Sequence, residues 1–477
     1  MGSPPASPLV ARGPARRVRA RMRSATGSWR SSYRARHLTS GRDAAHSGGV
    51  THLVLPDDVV FTCQQSGACC RNDWLIGVDE PARARLEAVD WTRLQPPLPP
   101  GPKFRPLPFA LPGGERATFT RRADGACVFL EPNERCGIHT RLGAGAKPQV
   151  CREFPYSFVE TPDGVAVGLS FACTAVRAHQ GRALSEQQPE IREVLAGSTR
   201  VRRLPDPLVL YASVDITWAQ YCAIEAALLA LLAHEECTLP TALLAGSVLI
   251  SLCVGLSQVE AMAEREGRAP TETLLGGLAQ LATDRYRKVI EVAARARAPH
   301  RPRLTALAPL YTWLEFSRRR PSRVGLVLAL YRNFFRFRRG RGRLPDWITG
   351  GPPFDIAEVQ AIAFDATDPA VSAFLREYWR HVVFRKTLTP LHGVFRGYQT
   401  MLALYAFTKW AAKLTARRRG RSRVTLDDAR DAVRLIEQRF VLHARFADVF
   451  TLSPVLTLMA DRLFRDPAFV RGAVLEP

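Results

Sequence analysis

The chain has 477 residues, which is enough for two or three domains, and 46% of its residues are hydrophobic, which is enough for buried cores. Its net charge of +23 arises from 67 basic and 44 acidic residues. The composition indicates a globular protein. The longest apolar run, Thr241 to Leu256, is shorter than a bilayer span, so it predicts a buried helix and no transmembrane segment.

Residues 1–50 predict a disordered basic tail. They contain ten arginines against one acid, Asp43, and too few apolar residues to join a core. The composition is that of a transit peptide, but no apolar stretch follows Arg16 and Arg17 as a secretory or twin-arginine signal requires. We therefore expect either a disordered tail or a predicted start codon that lies upstream of the true one, with Met22 a candidate for the true start. We also expect a cytoplasmic protein.

Seven of the ten cysteines fall within one stretch of about 110 residues. They are Cys63, Cys69, Cys70, Cys127, Cys136, Cys151 and Cys173. In a reducing compartment clustered cysteines are metal ligands or catalytic groups rather than disulfides, and their odd number agrees with this. His139, three residues after Cys136, is an eighth candidate ligand. Soft sulfur ligands select zinc, copper(I) or iron–sulfur clusters.

The remaining three cysteines, Cys222, Cys237 and Cys253, lie on apolar helical segments and predict ordinary buried thiols.

Local patterns predict how the clustered cysteines meet. Asp79 and Pro81 predict the start of a helix that runs to about Trp91. Glu131 to Glu134 form a turn that folds Cys127 back toward Cys136. Alternating residues on both sides of Pro162-Asp163-Gly164 predict a β-hairpin in which residue numbers of paired positions sum to about 325. Extended outward, this register places Cys151 within a residue of facing Cys173, near Cys69 or Cys70.

Beyond about Leu184 the sequence favours helices, and no further strand alternation is evident. The predicted helices are Trp218–His234, Leu239–Glu264, Thr271–Ala296, Val324–Phe337, Ile356–Phe364, Val371–Phe384, Gly393–Ala416 and Thr425–Phe446. We thus predict an α+β protein, with a small loop-rich cysteine-cluster domain over residues 51–184 and a larger all-α domain over 185–477.

Two segments carry a resemblance to a known family. Phe61 to Cys70, and Cys127 to Leu130 followed by Cys136-Gly-Ile-His139 and Cys151-Arg-Glu-Phe-Pro155, resemble the YkgJ-like cysteine-cluster family of zinc- or iron-chelating proteins. Trp74, Asp79 and Cys173 are similar to residues of its longer branch, the flagellin lysine-N-methylases. A looser similarity runs from Tyr398 to Lys409 and on to His443. The family usually has one more cysteine, and Ser66 stands nearest that place.

The resemblance implies a metal or iron–sulfur centre that takes part in transferring a methyl group from S-adenosylmethionine to a protein lysine, for example of flagellin. No glycine-rich turn after a strand marks a Rossmann-type methyltransferase. The alternative is a non-enzymatic metal-chelating protein whose helical half binds a partner. The arginine clusters lack a nucleic-acid-binding pattern, so nucleic acid is disfavoured and an acidic protein partner is an equal alternative.

Overall fold

The computed structural model describes residues 52–72, 74–93, 97–111, 113–212, 214–297, 304–319, 322–386, 389–441 and 461–472. The predicted tail of residues 1–50 lies outside these ranges. A smaller strand-containing region is followed by a larger helical one, which confirms the α+β class. The predicted boundary between residues 184 and 185 stays a prediction, because residues 52–477 cluster as one compact unit.

The predicted hairpin is present. Strands β6 (Tyr156–Thr161) and β7 (Gly164–Leu169) pair from Thr161 with Gly164 to Tyr156 with Leu169, which is the predicted register. Two short strands, β1 (Leu53–Val54) and β9 (Arg202–Arg203), pair in parallel with β7 and β6 and complete a sheet of order β1-β7-β6-β9. The turn has Gly164 at φ 129°, where a β-carbon would lie 2.4 Å from the His52 carbonyl oxygen, so glycine is needed there.

The hairpin does not extend to the cysteines as predicted. Its pairing ends where the Ser170 N–H donates to the Pro155 carbonyl at 2.8 Å. Cys151 lies instead in a short helix, Gln149–Glu153, and Cys173 directly precedes another, Thr174–Arg177. Because proline has no N–H to continue the ladder, the register argument for Cys151 facing Cys173 fails beyond residue 155.

The other strands form four small antiparallel sheets. They are β2 (Val60–Phe61) with β8 (Arg182–Ala183); β3 (Gly77–Val78), β5 (Ala117–Phe119) and β4 (Phe104–Pro106); β10 (Leu208–Tyr211) with β11 (Val214–Ile216); and β12 (Arg343–Leu344) with β13 (Phe354–Asp355). The last two sheets contradict the prediction that strands end at Leu184. Both are short, and the first contains an irregularity between Val209 and Tyr211, so neither shows clear alternation.

The helices are α1 (Glu80–Glu87), α2 (Gly137–Leu142), α3 (Gln149–Glu153), α4 (Thr174–Arg177), α5 (Gln188–Ala196), α6 (Trp218–Ala233), α7 (Leu239–Arg265), α8 (Leu274–Thr283), α9 (Arg287–Arg295), α10 (Leu307–Arg319), α11 (Arg323–Arg339), α12 (Ile356–Gln360), α13 (Pro369–Phe384), α14 (Thr389–Arg418) and α15 (Leu426–Ile436). A further short helix spans Pro467–Val470.

Several helical predictions are close to the observed bounds, and others need correction. The helix predicted to run from Pro81 to Trp91 is α1, which ends at Glu87. The single helix predicted over Thr271–Ala296 is two, because Arg285 and Tyr286 adopt positive φ values of 55° and 62°. Helices α5 and α10 were not anticipated by the periodicity.

The last predicted helix begins as expected and then changes type. Thr425 and Asp428 form the predicted capping box at the start of α15. From Glu437 to Val441 the chain continues as a π-helix, a form that is often found at functional sites. His443 lies outside the described residues.

The arginine-rich segment after α14 is structural rather than merely solvated. Arg419 and Arg421 both pair with the buried Asp428, at 2.6 and 3.0 Å. Arg418 pairs with the buried Asp346 at 3.1 Å, and Arg423 pairs with Asp365 at 2.6 Å. These contacts hold the loop between α14 and α15 in place. The positive charge of the loop is therefore largely compensated by acidic side chains of the same protein.

Two apolar cores are present in the described chain. The larger core joins the hairpin sheet to the helices, and the smaller one contains Phe129, Ile138 and the side chains of Cys127, Cys136 and Cys151. Helix α7 is the one described helix that is long and apolar enough to cross a membrane, and 61% of its most apolar stretch is buried in the protein.

Candidate metal centre

The double cysteine lies on a tight turn that only glycine permits. Gly67 has φ 63° and precedes the 3-10 helix Ala68–Arg71, which contains Cys69 and Cys70. A β-carbon on Gly67 would lie 2.0 Å from the carbonyl oxygen of Glu134. The turn of the double cysteine therefore touches the turn before Cys136, and Arg71 binds Glu134 across this contact.

Backbone hydrogen bonds bring Cys127 to the same place. The Cys127 N–H donates to the Cys70 carbonyl at 2.8 Å. Arg121 donates to that carbonyl at 3.1 Å and to the Trp74 carbonyl at 2.5 Å. Cys127 and Cys136 flank the predicted turn, in which the Glu134 N–H donates to the Glu131 carbonyl at 3.0 Å. The expected folding back of Cys127 toward Cys136 is confirmed.

Four sulfur atoms meet at this point. The thiol of Cys70 is within hydrogen-bonding reach of the sulfurs of Cys69, Cys127 and Cys136. A thiol carries one hydrogen, so it satisfies these sulfurs in turn rather than together. Hydrogen bonding to the three sulfurs, foremost Cys127, and then burial raise the pKa of Cys70 strongly. Hydrogen bonding with the Cys70 thiol is also the main cause that lowers the pKa values of Cys69 and Cys127.

The pKa of the Cys136 thiol is lowered as well. The hydrogen bond from Cys70 lowers its pKa to about 6 against the opposing effect of burial. Backbone N–H groups of His139 and Ile138 and the charge of Lys147 act in the same direction. Cys127 likewise receives a hydrogen bond from the N–H of Phe129. Backbone donors aimed at sulfur stabilise thiolates, the form that binds metal.

Cys151 lies beside these four thiols on α3 and is partly buried. Burial raises its pKa well above the usual value, and the charges of Cys136, Cys127 and Cys69 add to this. The N–H at the start of α3, on Gln149, donates to Asp79 at 2.9 Å, and Asp79 also caps α1 through the Ala82 N–H. Asp79 therefore positions the helix that carries Cys151.

Cys63 and Cys173 lie to one side of this group. The pKa of Cys173 is raised mainly by burial, and among the charges that affect it are those of Cys69 and Cys63. Ser66, at the place of the usual family cysteine, hydrogen-bonds Thr174, the neighbour of Cys173, at 2.8 Å between hydroxyl oxygens. The loop of Ser66 thus reaches the side of the site where Cys173 lies.

His139 is linked to the site through a lysine. Its Nδ1 lies 2.8 Å from the Nζ of Lys147. Burial, followed by the Lys147 charge, lowers the pKa of His139. Lys147 is also the positive charge that acts on Cys69, Cys136 and Cys151. The structure therefore offers His139 a partner other than a metal, and its role as a ligand stays a prediction.

A buried polar network joins the segment before Cys173 to the helical region. Glu437, fully buried on the π-helix, accepts hydrogen bonds from Ser170 at 2.8 Å, Tyr378 at 2.9 Å and Arg385 at 3.0 Å. Arg385 also donates to the Leu169 carbonyl at 2.8 Å. The end of β7 is thereby held by α13 and the π-helix.

Within the described residues, no three histidine, cysteine, aspartate or glutamate side chains are arranged to hold an ion together as they stand. The four thiols meet as hydrogen-bonding partners, so ligation requires their side chains to turn toward a common centre. The donor set nevertheless fits a soft metal, because three of the four thiols have lowered pKa values and a fifth cysteine, Cys151, packs against the same apolar core.

The other three cysteines are not part of the group. Cys253 is buried in α7, where burial raises its pKa to about 12, and Cys222 and Cys237 are partly buried against the larger core. The prediction of ordinary buried thiols agrees with these surroundings.

Sequence patterns missed Lys147, Arg121 and Glu437. Lys147 stands four residues before Cys151. A lysine located between clustered cysteines could have been predicted from the sequence to lie near their thiols. Glu437 bonds Ser170 across 267 positions, and no local pattern reports such a contact.

Residues 62–174 match the family model CxxCxxCC, described as "putative zinc- or iron-chelating domain". This match supports metal binding by a cysteine-cluster domain, and it covers the segment in which the seven clustered cysteines lie. No curated protein and no solved structure matches the chain.

Proposed function

We propose that the protein binds a zinc ion or an iron–sulfur cluster through Cys69, Cys70, Cys127 and Cys136. The observation that carries this proposal is the Cys70 thiol, whose proton lies within hydrogen-bonding reach of the other three sulfurs. A metal cation would displace that proton and bind all four sulfurs as thiolates, since metal binding releases protons from its ligands.

The other predicted ligands have secondary places in this proposal. Cys151 is close enough to exchange with one of the four, and it supplies the fifth sulfur that a cluster or a second ion would use. Cys63 and Cys173 complete the set on the side of Cys69, and His139 would need to leave Lys147 to join. A closed zinc site needs four ligands, whereas this surplus favours an iron–sulfur cluster or two ions.

Substitution of single cysteines tests the ligand set. In protein purified without oxygen, Cys69→Ala and Cys151→Ala should each lower the amount of bound metal. A chelator should then destabilise the parent but have little effect on the stability of the two variants. Cys253→Ala is the matched control, because it removes a buried thiol far from the group. Full metal content in Cys69→Ala would contradict the proposal.

A second proposal is methyl transfer from S-adenosylmethionine to a protein lysine, for example of flagellin. It rests on the resemblance and on one observation, a cavity of about 300 Å³ beside α3, the helix that carries Cys151. The cavity is lined by Asp79, Glu115, Lys147, Gln149 and Arg200, among others. It offers carboxylate and basic groups together, as a ligand with an amino and a carboxyl group requires.

Binding of S-adenosylmethionine to the metal-loaded protein, measured by calorimetry without oxygen, separates methyl transfer from simple chelation. Binding that disappears when the metal is removed would support the enzyme. Intact metal without any binding would favour the chelating protein whose helical half contacts a partner.

A further inference from the structure

Helix α11 is apolar on two opposite faces. One face is buried, with Leu326, Ala329, Asn333 and Phe337 at exposed fractions of 7%, 5%, 0% and 1%. Asn333 donates to Thr312 at 3.1 Å, and the ring of Phe337 lies 5.7 Å from that of Tyr311. These contacts anchor α11 on α10. The position of the helix therefore does not depend on contacts made by its opposite face.

The opposite face, here called the outer stripe, is open to solvent. It consists of Val324, Val327, Leu328, Tyr331, Phe334 and Phe335, with exposed fractions of 70%, 46%, 62%, 55%, 37% and 46%. At about 100° per residue these six positions fall within an arc of roughly 120°. They expose roughly 500 Å² of large apolar side chains, which is near the upper end for single patches on soluble proteins.

The charge around the outer stripe is of one sign. Residues 316–345 contain ten arginines and no acidic residue. Of these, Arg338, Arg339, Arg341 and Arg343 are exposed at the end of α11 where the aromatic residues lie. The arginines at the end of α14 and after it pair with acidic side chains, whereas among the described residues no acidic partner is shown for these four.

We propose that the outer stripe docks α11 onto an anionic lipid surface. A helix with an apolar arc, aromatic residues and flanking arginines lies in the plane of a bilayer interface, with its apolar face among the acyl chains. The arginine side chains reach back to lipid phosphates, and Tyr331, Phe334 and Phe335 suit the interfacial depth. A protein partner is less favoured, since the stripe is a convex helix face whose polar neighbours at its carboxyl end are arginines alone.

Vesicle flotation of the full metal-loaded chain tests this proposal. The probe is phosphatidylcholine vesicles with and without roughly one third phosphatidylglycerol. We expect binding to the anionic vesicles and at least tenfold weaker binding to pure phosphatidylcholine. Leu328→Ser with Phe335→Ser should lower binding to anionic vesicles at least tenfold, because two large side chains leave the acyl region.

A matched control uses Val259→Ser with Met262→Ser, two apolar residues of α7 that are 48% and 56% exposed. This variant should bind as the parent does. The basic tail is identical in all variants, so binding that survives Leu328→Ser with Phe335→Ser would come from elsewhere and would overturn the proposal. Circular dichroism of each variant confirms that the substituted surface residues leave the fold intact.

Two further results would also overturn it. If the parent is a dimer that the Leu328→Ser and Phe335→Ser variant converts to a monomer, and neither binds vesicles, the stripe is a contact between two copies. If the parent ignores vesicles but is retained on polyglutamate through Arg338 and Arg339, the partner is an acidic protein. Loss of vesicle binding in Arg338→Ala with Arg339→Ala, with a shallower salt dependence, would support the lipid surface.

Discussion

Replacing Glu437 with glutamine should destabilise the protein severely. Its side chain is fully buried, and that of Arg385 is 2% exposed. Glu437 receives hydrogen bonds from Ser170, Tyr378 and Arg385. The substitution leaves the Arg385 charge buried without a counter-charge, which typically costs about 3–5 kcal/mol. Because whole domains are stable by about 5–15 kcal/mol, this loss is a large share of the total.

Urea unfolding followed by tryptophan fluorescence measures the loss, since the chain contains eight tryptophans. Glu160→Gln is the matched control, because it breaks an arginine–glutamate pair whose side chains, Arg203 and Glu160, are 66% and 44% exposed. The control should unfold at the same urea concentration as the parent within error. A Glu437→Gln variant that loses less than about 1 kcal/mol would refute the view that this pair fastens the hairpin to the helices.

Three further predictions concern the turn and the titrating groups. Gly67→Ala should abolish metal retention and destabilise the protein by more than about 1–2 kcal/mol, because the left-handed φ is strained and the methyl group meets Glu134; a variant that keeps its metal would count against the turn. Metal affinity, measured by competition with a chelator, should fall as the pH drops below about 6, since the pKa of the metal-free Cys136 is lowered to about 6 and protons then compete with the metal for its sulfur; an affinity unchanged between pH 7 and 4.5 would count against Cys136 as a ligand. Burial, followed by the charge of Arg385, lowers the pKa of His381 to about 3, so between pH 6.5 and 3 the unfolded chain binds a proton that the folded protein does not. Stability should therefore fall by about 1.4 kcal/mol per pH unit as the pH drops through this window, and His381→Gln should remove that part of the slope; equal slopes in parent and variant would contradict it.

The parts of the fold that follow from neighbouring residues were predictable. Pro162 and Gly164 define the hairpin turn, and the observed pairing has the predicted register. Thr425 and Asp428 mark the start of α15 for the same reason, since a capping box spans only four consecutive residues. The break at Arg285 and Tyr286 was not predictable, because neither residue type signals positive φ.

The candidate site was predictable as a set of residues but not as an arrangement. The sequence pointed to the clustered cysteines, yet the grouping of four around Cys70 depends on Gly67 touching Glu134 across the fold. The strand pairing predicted for Cys151 was wrong, because it was extended past Pro155 into a segment that is helical. Lys147 and Glu437 act through contacts between distant segments, which periodicity and spacing do not contain.

The most direct test is the metal content and visible spectrum of the full chain purified without oxygen, compared between the parent, Cys127→Ser and Cys253→Ser. Metal binding at the four thiols predicts roughly one zinc, or the iron of one cluster with brown colour, per chain of the parent and of Cys253→Ser. Cys127→Ser should lose most of it. A parent with no bound metal, or a Cys127→Ser variant with as much metal as the parent, would contradict binding at this site.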